Sequence, residues 1–512
     1  MKRIRSLAYA GLVILFSLPA VACNSNVVPV SIANPKAKHI VASALPDEPF
    51  ISERAGYYDT AWPSEHADLW RSHAVLNAGL PADFSAEQLI VTTATLNLPV
   101  WGYTRAKNEV FVLGGSPMAL ASFTQAIRTG ETIKRRASFL STLGDLFNNS
   151  VPYVARIDPR SMEMVRVNLA GGSTVNYTGG LLMHKNGYVY AVSRSILYKI
   201  DPASMQIVKS IKLPLVGGNF SSHYWTTYNG MQVLASGELV IKGFHLLNSA
   251  KIPGWLMLID PDDLSIDVRQ QASVSSARLT IQQSPDGTTY LYHVNAVESQ
   301  RYKIANTGFE LDTTWTRGYR AIGSGSTQAS SPLFFGNIGQ IVFADNTAPG
   351  AKTPIKLYTQ TTGSNNPAGS LKGIAAFSRS LPSFNFFMVA GDPFKQQMLI
   401  YYDPVNSLLS AHRVRADGNL ESIWERDSCK ASASPAIVPD RDLLYIDDYR
   451  DGKDHLLILK LSTGEELASI ELAATLPTIG TIFPGMNNDV YILNSEAGGK
   501  DGMVSRISIA QH

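Results

Sequence analysis

The sequence predicts an all-β fold, a single β-propeller of four-stranded blades, from a repeated phrase and the turn residues inside it. The phrase is an apolar strand, an Asp-Pro pair, a turn and a second apolar strand. The Asp-Pro pairs stand at positions 158–159, 201–202, 260–261 and 403–404, with a looser copy at 461–464. Asp accepts hydrogen bonds from backbone amides and Pro fixes φ, so the pair favours a tight turn. Strands that repeat roughly every forty to sixty residues are typical of radially arranged units.

The clearest unit runs from Gly180 to Ile211 and contains four short apolar strands. Asn186-Gly187 separates the first two strands, and Asp201-Pro202 separates the last two. Asn-Gly between apolar runs is a strong hairpin signal. Because strands this short cannot bury both faces alone, we expect the sheets to stack around an axis, which leaves few exposed edges.

A second internal similarity supports the repeat and indicates the number of blades. The stretch Ser331–Asp345 lies without gaps over Ser434–Asp448, two units further along the chain. The first unit is predicted to span Leu89–Leu169, and further units are predicted to begin near residues 230, 279, 373 and 481. The total is eight blades, with seven as the alternative. Closing the ring requires a strand from near the N-terminus, for which the region after Phe50 is available.

The first residues are typical of a targeting signal. Met1–Arg5 is positively charged, Leu7–Leu18 is apolar, and small residues lead directly into Cys23, which resembles the lipobox of bacterial lipoproteins. The resemblance implies a signal peptide at 1–22, a lipid on Cys23 that holds the protein on a membrane, and a cell-envelope location. Because Asn follows Cys23, it implies the outer membrane, with the domain on the periplasmic side. A secretory signal cut after residue 22, which gives a secreted protein, is the alternative.

The remaining chain divides into a tether and one domain. Residues 23–50 are mostly polar or small with four prolines and are predicted to be a flexible tether. Residues 51–512 are predicted to form the propeller, with an insertion at 119–151 in the first blade. The insertion is locally basic with helical spacing of apolar residues. It is predicted to be either a surface excursion or an amphipathic element that contacts a partner or a membrane.

Composition and motifs exclude several classes of function. The 512 residues carry a formal net charge of +2, so no basic field favours binding to nucleic acid. No His or Cys spacing is typical of zinc, so no metal site is predicted, and no phosphate loop or nucleophile elbow is present. The second of the two cysteines, Cys429, has no disulfide partner if Cys23 is lipidated, whereas an ordinary signal permits a bridge between them.

The blade pattern resembles the quinoprotein-like propeller superfamily. The Asp-Pro-x-Ser blades are similar to those of that superfamily, and the opening Trp62-x-x-x-x-x-Asp68-x-x-Arg71-Ser72 is similar to one common there. The superfamily includes dehydrogenases that use pyrroloquinoline quinone (PQQ) as well as scaffolds without activity. The chain has no adjacent cysteine pair, no Cys-x-x-Cys-His for haem, and no Gly-x-x-x-Trp repeat. These departures count against a redox role.

Candidate binding residues follow from propeller geometry. Loops that precede the innermost strands and loops that follow the second strands open on the same face, where they line the central funnel. The candidates on this face are His223, Tyr224, Trp225, Tyr228, Asn229, Arg278, Asp345, Asn346, Asp448 and Tyr449. An aromatic platform beside an imidazole, as at 223–225, suits stacking on a sugar or a planar ligand. The alternative is that these aromatic residues pack a long loop against the neighbouring blade.

Two carboxylates occupy equivalent positions two units apart. If Asp345 and Asp448 converge on the axis, they would hold Ca²⁺ or act as an acid–base pair. The alternative is turn capping, since Asp at a strand end commonly accepts backbone N–H bonds. His66 and Asp68 with Arg71 could make a site, but their place near the opening strand favours structural hydrogen bonds. Cys429 is predicted to be a small buried residue.

Two functions remain open. The first is an envelope lipoprotein whose funnel face binds a protein or a glycan and performs no chemistry. The second is an enzyme, either a quinone-dependent oxidoreductase or a hydrolase, with PQQ or Ca²⁺ as its cofactor and a site of Asp345, Asp448 and His223 with Arg278. Convergence of the two carboxylates would favour the enzyme, and a plugged axis would favour the binding module.

Overall fold

Eight four-stranded antiparallel sheets make up the described part of the chain. The computed structural model describes residues 54–115, 151–172, 178–218, 222–249, 251–275, 277–284, 287–305, 307–320, 329–347, 352–363, 371–385, 388–474, 480–495 and 502–510. All of them belong to one compact unit, residues 42–512. The predicted signal peptide, Cys23, the tether and nearly all of the predicted insertion lie outside the described residues. No helix among the described residues is long and apolar enough to cross a membrane.

We number the sheets as blades I to VIII and give the strands of each from the axis outwards. Blades I to IV contain β2 (Pro99–Ala106), β3 (Glu109–Gly114), β4 (Tyr153–Ile157) and β5 (Met164–Asn168); β6 (Thr178–Met183), β7 (Val189–Ser193), β8 (Ile196–Asp201) and β9 (Gln206–Lys212); β10 (Thr226–Val233), β11 (Leu239–His245), β12 (Trp255–Ile259) and β13 (Ile266–Gln271); β14 (Thr280–Gln283), β15 (Thr289–Val294), β16 (Glu298–Ala305) and β17 (Gly308–Leu311), with β18 (Arg317–Gly318) also paired to β16.

The other four blades repeat this order. Blades V to VIII contain β19 (Leu333–Phe335), β20 (Gln340–Asp345), β21 (Lys356–Thr361) and β22 (Lys372–Ala375); β23 (Ala390–Asp392), β24 (Met398–Asp403), β25 (Leu408–Val414) and β26 (Leu420–Asp427); β27 (Ala436–Val438), β28 (Leu443–Arg450), β29 (Lys453–Lys460) and β30 (Glu466–Glu471); β31 (Ile482–Pro484), β32 (Asp489–Ser495), β33 (Gly502–Ile509) and β1 (Leu89–Leu96). Short helical turns are α1 (Ser222–Trp225) and the 3₁₀ turns Ala86–Gln88, Leu246–Asn248, Gly336–Ile338 and Pro439–Arg441.

The blades form a ring, so the predicted eight-bladed propeller is confirmed. Innermost strands contact one another in neighbouring blades from IV through VIII and in blades I to III, and blades III and IV contact through β13 and β17. The contact of β2 in blade I with β31 in blade VIII completes the ring. Each buried hydrophobic cluster contains residues of more than one blade, so the core lies between the sheets. This arrangement buries both faces of sheets that are too small to be stable alone.

The strand that closes the ring differs from the one expected. Leu89–Leu96, which was predicted to open the first blade, is the outermost strand of blade VIII and pairs along its whole length with Gly502–Ile509. The region after Phe50 takes another path, described below. An outermost strand is less covered than the inner ones, and β1 leaves the consecutive residues Ile90 and Val91, which lie on opposite faces, exposed at 46% and 42%.

Two further assignments differ in detail. The unit expected to begin near residue 373 is strand β22, the outermost strand of blade V, and the next blade begins at Ala390. The Asp403-Pro404 turn joins the second and third strands of blade VI, whereas the other three Asp-Pro turns follow third strands. Both differences arise because hairpins at different positions in a blade have the same local turn chemistry. By contrast, Ser331–Asp345 and Ser434–Asp448 do occupy matching positions, in blades V and VII.

The Asp-Pro turns are built as predicted. The carboxylates of Asp158, Asp201 and Asp260 accept backbone N–H bonds from the residue two positions on, at 2.9, 3.0 and 2.7 Å. The backbone carbonyl of each Asp also accepts an N–H bond from the residue four positions on. Side-chain capping of this kind stabilises the turn, so these aspartates serve the fold.

One glycine allows blades I and VIII to approach closely. A Cβ added to Gly102, in β2, would overlap the ring of Phe483 in β31, whereas a Cβ on Gly180, in β6, would meet nothing within 4 Å. We expect Gly102→Ala to lower the free energy of unfolding by about 1–3 kcal/mol, because the aromatic ring or the strand must move. Gly180→Ala should change it little. Urea unfolding of both variants tests this, and equal midpoints would contradict it.

Candidate functional site

A stretch of chain before the first blade passes through the centre of the ring. We call residues 54–80 the axial segment. Every residue from Thr60 to Val75 is buried, including Trp62, His66 and Asp68, each with 0% exposure. A segment so rich in polar residues can be buried only if its backbone and side chains find partners.

The axial segment contacts the innermost strand, or the residue that follows it, in all eight blades. The contacts are Thr104 N to Trp62 O (3.0 Å, blade I), Met183 N to Pro63 O (2.8 Å, II), Tyr57 Oη to Gln232 Oε1 (III), Ile281 N to Leu69 O (3.0 Å, IV), Phe334 N to Trp70 O (3.1 Å, V), Gly391 N to Ser72 O (2.8 Å, VI), Ile437 N to His73 O (2.8 Å, VII) and Gly79 N to Gly485 O (2.8 Å, VIII). Innermost strands direct unpaired backbone groups towards the axis, and the segment satisfies them. The axis is therefore closed by the chain itself.

A buried ion-pair cluster lies within this segment. The carboxylate of Glu65 accepts a hydrogen bond of 2.5 Å from Arg278 and lies 3.5 Å from Arg71 Nη1. Arg278 precedes β14 and is the predicted candidate residue that belongs to the cluster. All three residues are at most 8% exposed, so one carboxylate faces two buried guanidinium groups.

Aromatic rings surround the ion pairs. The rings of His66 and His73 stack with centroids 4.3 Å apart, and Trp62 and Trp101 approach this pair edge-on at 6.5 and 6.1 Å. The guanidinium of Arg278 lies 5.1 Å above the ring of Trp101. We call Trp62, Glu65, His66, Arg71, His73, Trp101 and Arg278 the axial cluster.

Burial sets the charges of the axial cluster. Burial lowers the pKa of His73 to about 3 and holds the pKa of His66 well below its usual value, and the nearby arginines act in the same direction. Burial also lowers the pKa of Arg71 to about 10, so this side chain remains cationic at neutral pH. Both imidazoles are therefore neutral, and the two arginines exceed the single Glu65 carboxylate by one charge.

The neutral histidines predict an acid-sensitive fold. At a pH below the ordinary imidazole pKa of about 6.5, each of these histidines takes up a proton when the protein unfolds. The free energy of unfolding therefore decreases as the pH falls from 6.5 towards the lowered pKa of the folded state. From pH 6.5 to 5, one such group costs about 2 kcal/mol. The slope of the free energy of unfolding against pH gives the number of protons taken up on unfolding, and we expect His73→Gln to lower that number by about one. An unaltered slope in His73→Gln would contradict the prediction.

The other candidates of the predicted funnel face lie outside the axial cluster. His223 is exposed and Tyr224 is half-buried, both in α1, whereas Trp225 is 5% exposed. Tyr228 and Asn229 lie buried in β10, where the Tyr228 hydroxyl donates to Pro214 O. The aromatic platform predicted at 223–225 thus divides, with Trp225 packed inside and His223 outside.

Asp345 and Asp448 lie two blades apart and each has its own contacts. Asp345 forms an ion pair with Arg320 and accepts the backbone N–H of Thr347 at 3.1 Å. Asp448 accepts the N–H of Lys430 at 2.8 Å. Within the described ranges, no group of three His, Cys, Asp or Glu side chains could hold a metal ion. Asp345 therefore caps the turn that follows β20, whereas Asp448 binds the backbone of a residue eighteen positions earlier in the chain.

The neighbours of these carboxylates are also engaged. Asn346 accepts a hydrogen bond of 2.6 Å from the Tyr401 hydroxyl, and the half-buried Tyr449 bonds through its backbone N–H to Lys430 O. Cys429 is fully buried as predicted, and burial raises the pKa of its thiol well above the usual value.

Reasoning from the sequence did not single out Glu65, His73 or Trp101 of the axial cluster. His66, Asp68 and Arg71 were predicted to make structural hydrogen bonds, which holds for Asp68, whose carboxylate accepts the backbone N–H of Ser72 at 3.1 Å. A signal was available in the sequence: residues 62–73 contain two Trp and two His beside three charged groups. Such density ahead of the first blade is unusual for an exposed entry strand.

Comparison with known proteins supports the architecture. No family model matches the chain, and no curated protein matches it. Among solved structures, the quinohemoprotein alcohol dehydrogenase from Comamonas testosteroni is 11% identical over 90% of this chain and 82% of that chain, with a TM-score of 0.55. The similarity shows the fold, a β-propeller, and not the family. The propeller of Dos1 is also similar, with 8% identity over 82% of this chain and 93% of that chain and a TM-score of 0.52.

The resemblance stated from the sequence raises the question of PQQ with Ca²⁺, and the axial residues do not fit that cofactor. The axial segment crosses the centre and is bonded to every blade. Its two buried carboxylates are engaged, Glu65 with two arginines and Asp68 with Ser72. A Ca²⁺ ion takes six to eight oxygen ligands, and two buried guanidinium groups would repel it.

Proposed function

We propose that this protein is a membrane-anchored binding module of the cell envelope, which takes a protein or a glycan on one face of its propeller and performs no chemistry. The observation that carries the proposal is the axial segment, which fills the place where propeller enzymes of this architecture would hold a cofactor. A ring closed at its centre still offers its rim loops to a partner. The low net charge of +2 gives no reason to expect nucleic acid as the partner.

The binding face proposed is the one where the innermost strands begin, which we call the upper face. His223 is exposed there, and Tyr224 and Tyr449 are half-buried. Tyrosine and histidine at a partly exposed site supply apolar surface together with hydrogen-bonding groups, a combination that suits both protein and glycan partners. The buried candidates Trp225, Tyr228 and Asn229 would support these residues from below.

Anchoring is proposed from the sequence at Cys23. A lipid there would hold the propeller at the outer membrane on its periplasmic side, with residues 24–50 as the spacer. Membrane fractionation of Cys23→Ala tests this part separately. If the Cys23→Ala protein still fractionates with membranes, the lipid anchor is wrong.

The binding face is tested by comparing variants of the full-length protein after cross-linking in cells and on a glycan array. We expect the triple variant His223→Ala, Tyr224→Ala and Tyr449→Ala to lose a partner that the wild type retains. The matched control is Lys185→Ala with Tyr188→Ala, at the opposite end of the inner strands, and it should keep that partner. Equal retention by both variants, or turnover of substrates by the purified protein, would overturn the proposal.

A further inference from the structure

The axial cluster contains five side-chain atoms that have no hydrogen-bond partner within the described part of the chain. They are Trp62 Nε1, His66 Nε2, Arg71 Nη2, His73 Nε2 and Trp101 Nε1. All five residues are at most 9% exposed. Buried polar groups in folded proteins are nearly always paired, so five such atoms in one cluster of touching rings indicate a guest that pairs with them.

The contacts of the two histidines decide which of these atoms donate. Nδ1 of His66 lies 2.8 Å from Nη1 of Arg71, and because a guanidinium only donates, this nitrogen accepts and the proton is on Nε2. Nδ1 of His73 lies 3.2 Å from the Pro435 carbonyl, which only accepts, so Nδ1 donates and Nε2 of the neutral ring is an acceptor. The two rings are stacked, so their Nε2 atoms do not bond to each other in plane. The cluster therefore presents four donors and one acceptor.

Charge indicates the sign of the guest. Arg71 and Arg278 face one carboxylate, that of Glu65. The buried Lys242 is near enough for both arginines to lower its pKa further, after burial as the main cause. A negatively charged guest would offset this buried excess of positive charge, whereas a cation would add to it.

We propose that the axial cluster binds a small oxyanion that carries at least one O–H group, of the hydrogencarbonate or dihydrogenphosphate type. The anionic oxygens accept from Trp62, His66, Arg71 and Trp101, and the O–H donates to Nε2 of His73. This inference is independent of the partner-binding function proposed above.

The backbone supports a site shaped in advance. Ala67, Arg71 and His73 have φ of 73°, 58° and 58°, in the left-handed region that costs non-glycine residues energy. Three such residues within seven positions hold the side chains of His66, Arg71 and His73 in one place. Trp101 and Arg278, near the starts of β2 and β14, form the side of the cluster towards the upper face.

The test titrates full-length protein with sodium hydrogencarbonate, inorganic phosphate and acetate at ionic strength matched with chloride, and follows the melting temperature and the heat of binding. We expect hydrogencarbonate or phosphate to raise the melting temperature above the chloride control, with acetate weaker because it has no O–H. The tighter binder of hydrogencarbonate and phosphate is then identified as the ligand. Equal effects of all the anions would mean general salt screening only and would overturn the proposal.

Two variants give the test its specificity. Trp101→Phe removes one N–H donor but keeps an aromatic ring, so the dissociation constant should rise about tenfold, as for a hydrogen bond to a charged group. The control is Trp424→Phe, because Nε1 of Trp424 donates to Leu461 O far from the axis, at 2.9 Å. Binding unchanged in Trp101→Phe would contradict the site. His73→Phe, if folded, should abolish the preference for hydrogencarbonate over acetate, and retention of that preference would contradict the role of Nε2.

Discussion

Replacing Glu65 by alanine should lower the free energy of unfolding by about 3–5 kcal/mol. The carboxylate is 3% exposed and is the partner of Arg278 at 2.5 Å, with Arg71 at 3.5 Å. Without it, two buried guanidinium groups would lie beside each other with no compensating negative charge. A buried charge without a partner destabilises a protein by more than the intact ion pair stabilises it. The loss of stability should therefore be among the largest for any single substitution.

The control is a carboxylate in an exposed ion pair. Glu471 and Lys453 approach to 2.7 Å on the surface of blade VII, with side chains 60% and 41% exposed. Because water screens such pairs, Glu471→Ala should leave stability unchanged within error. Chemical denaturation of both variants at neutral pH is the measurement. Similar losses for the two glutamates would mean that the cluster is hydrated and that our description of it as buried is wrong.

Trp62→Ala should also cost about 3–5 kcal/mol, since it removes a fully buried indole. Trp62 has 0% exposure, belongs to the largest hydrophobic cluster and is bonded through its backbone to Thr104 in blade I. A cavity at the axis would affect several blades, because the segment that carries Trp62 contacts all eight of them.

The comparison for Trp62 is Trp424, a half-buried indole on the outermost strand of blade VI. Trp424→Ala should cost less than half as much, because the site can take up water. Limited proteolysis adds a second measurement: cleavage within residues 54–80 should accelerate in Trp62→Ala and stay slow in Trp424→Ala. Equal rates for the two variants would indicate that the axial segment does not depend on Trp62.

Local turn chemistry is the part of this protein that could be predicted from the sequence. Asp158, Asp201 and Asp260 cap their turns as expected, because the contacts involved span only two to four residues. The position of a strand within its blade could not be predicted, since it depends on which neighbour a strand pairs with. Leu89–Leu96 shows this, because its partner is made more than four hundred residues later.

The candidate site was predicted less well for the same reason. Arg278 was selected from its place before an innermost strand, and it does belong to the axial cluster. Glu65 and His73 were not selected, because nothing local shows that a polar stretch will lie in the centre of a ring. Asp345 and Asp448 were selected for their matching positions in blades V and VII, and each contacts a different partner, Arg320 and Lys430.

Pairing of Leu89–Leu96 with Gly502–Ile509 has a consequence for how this protein is made. Residues that leave the ribosome early have no edge to join until blade VIII has been synthesised. Contacts so distant in sequence are slow to form, so the ring of the nascent chain remains unclosed while the intervening blades are synthesised. We therefore expect that a chain truncated before residue 502 would leave β1 unpaired and the ring unclosed. Such a chain would be prone to proteolysis and to aggregation through the unpaired strand.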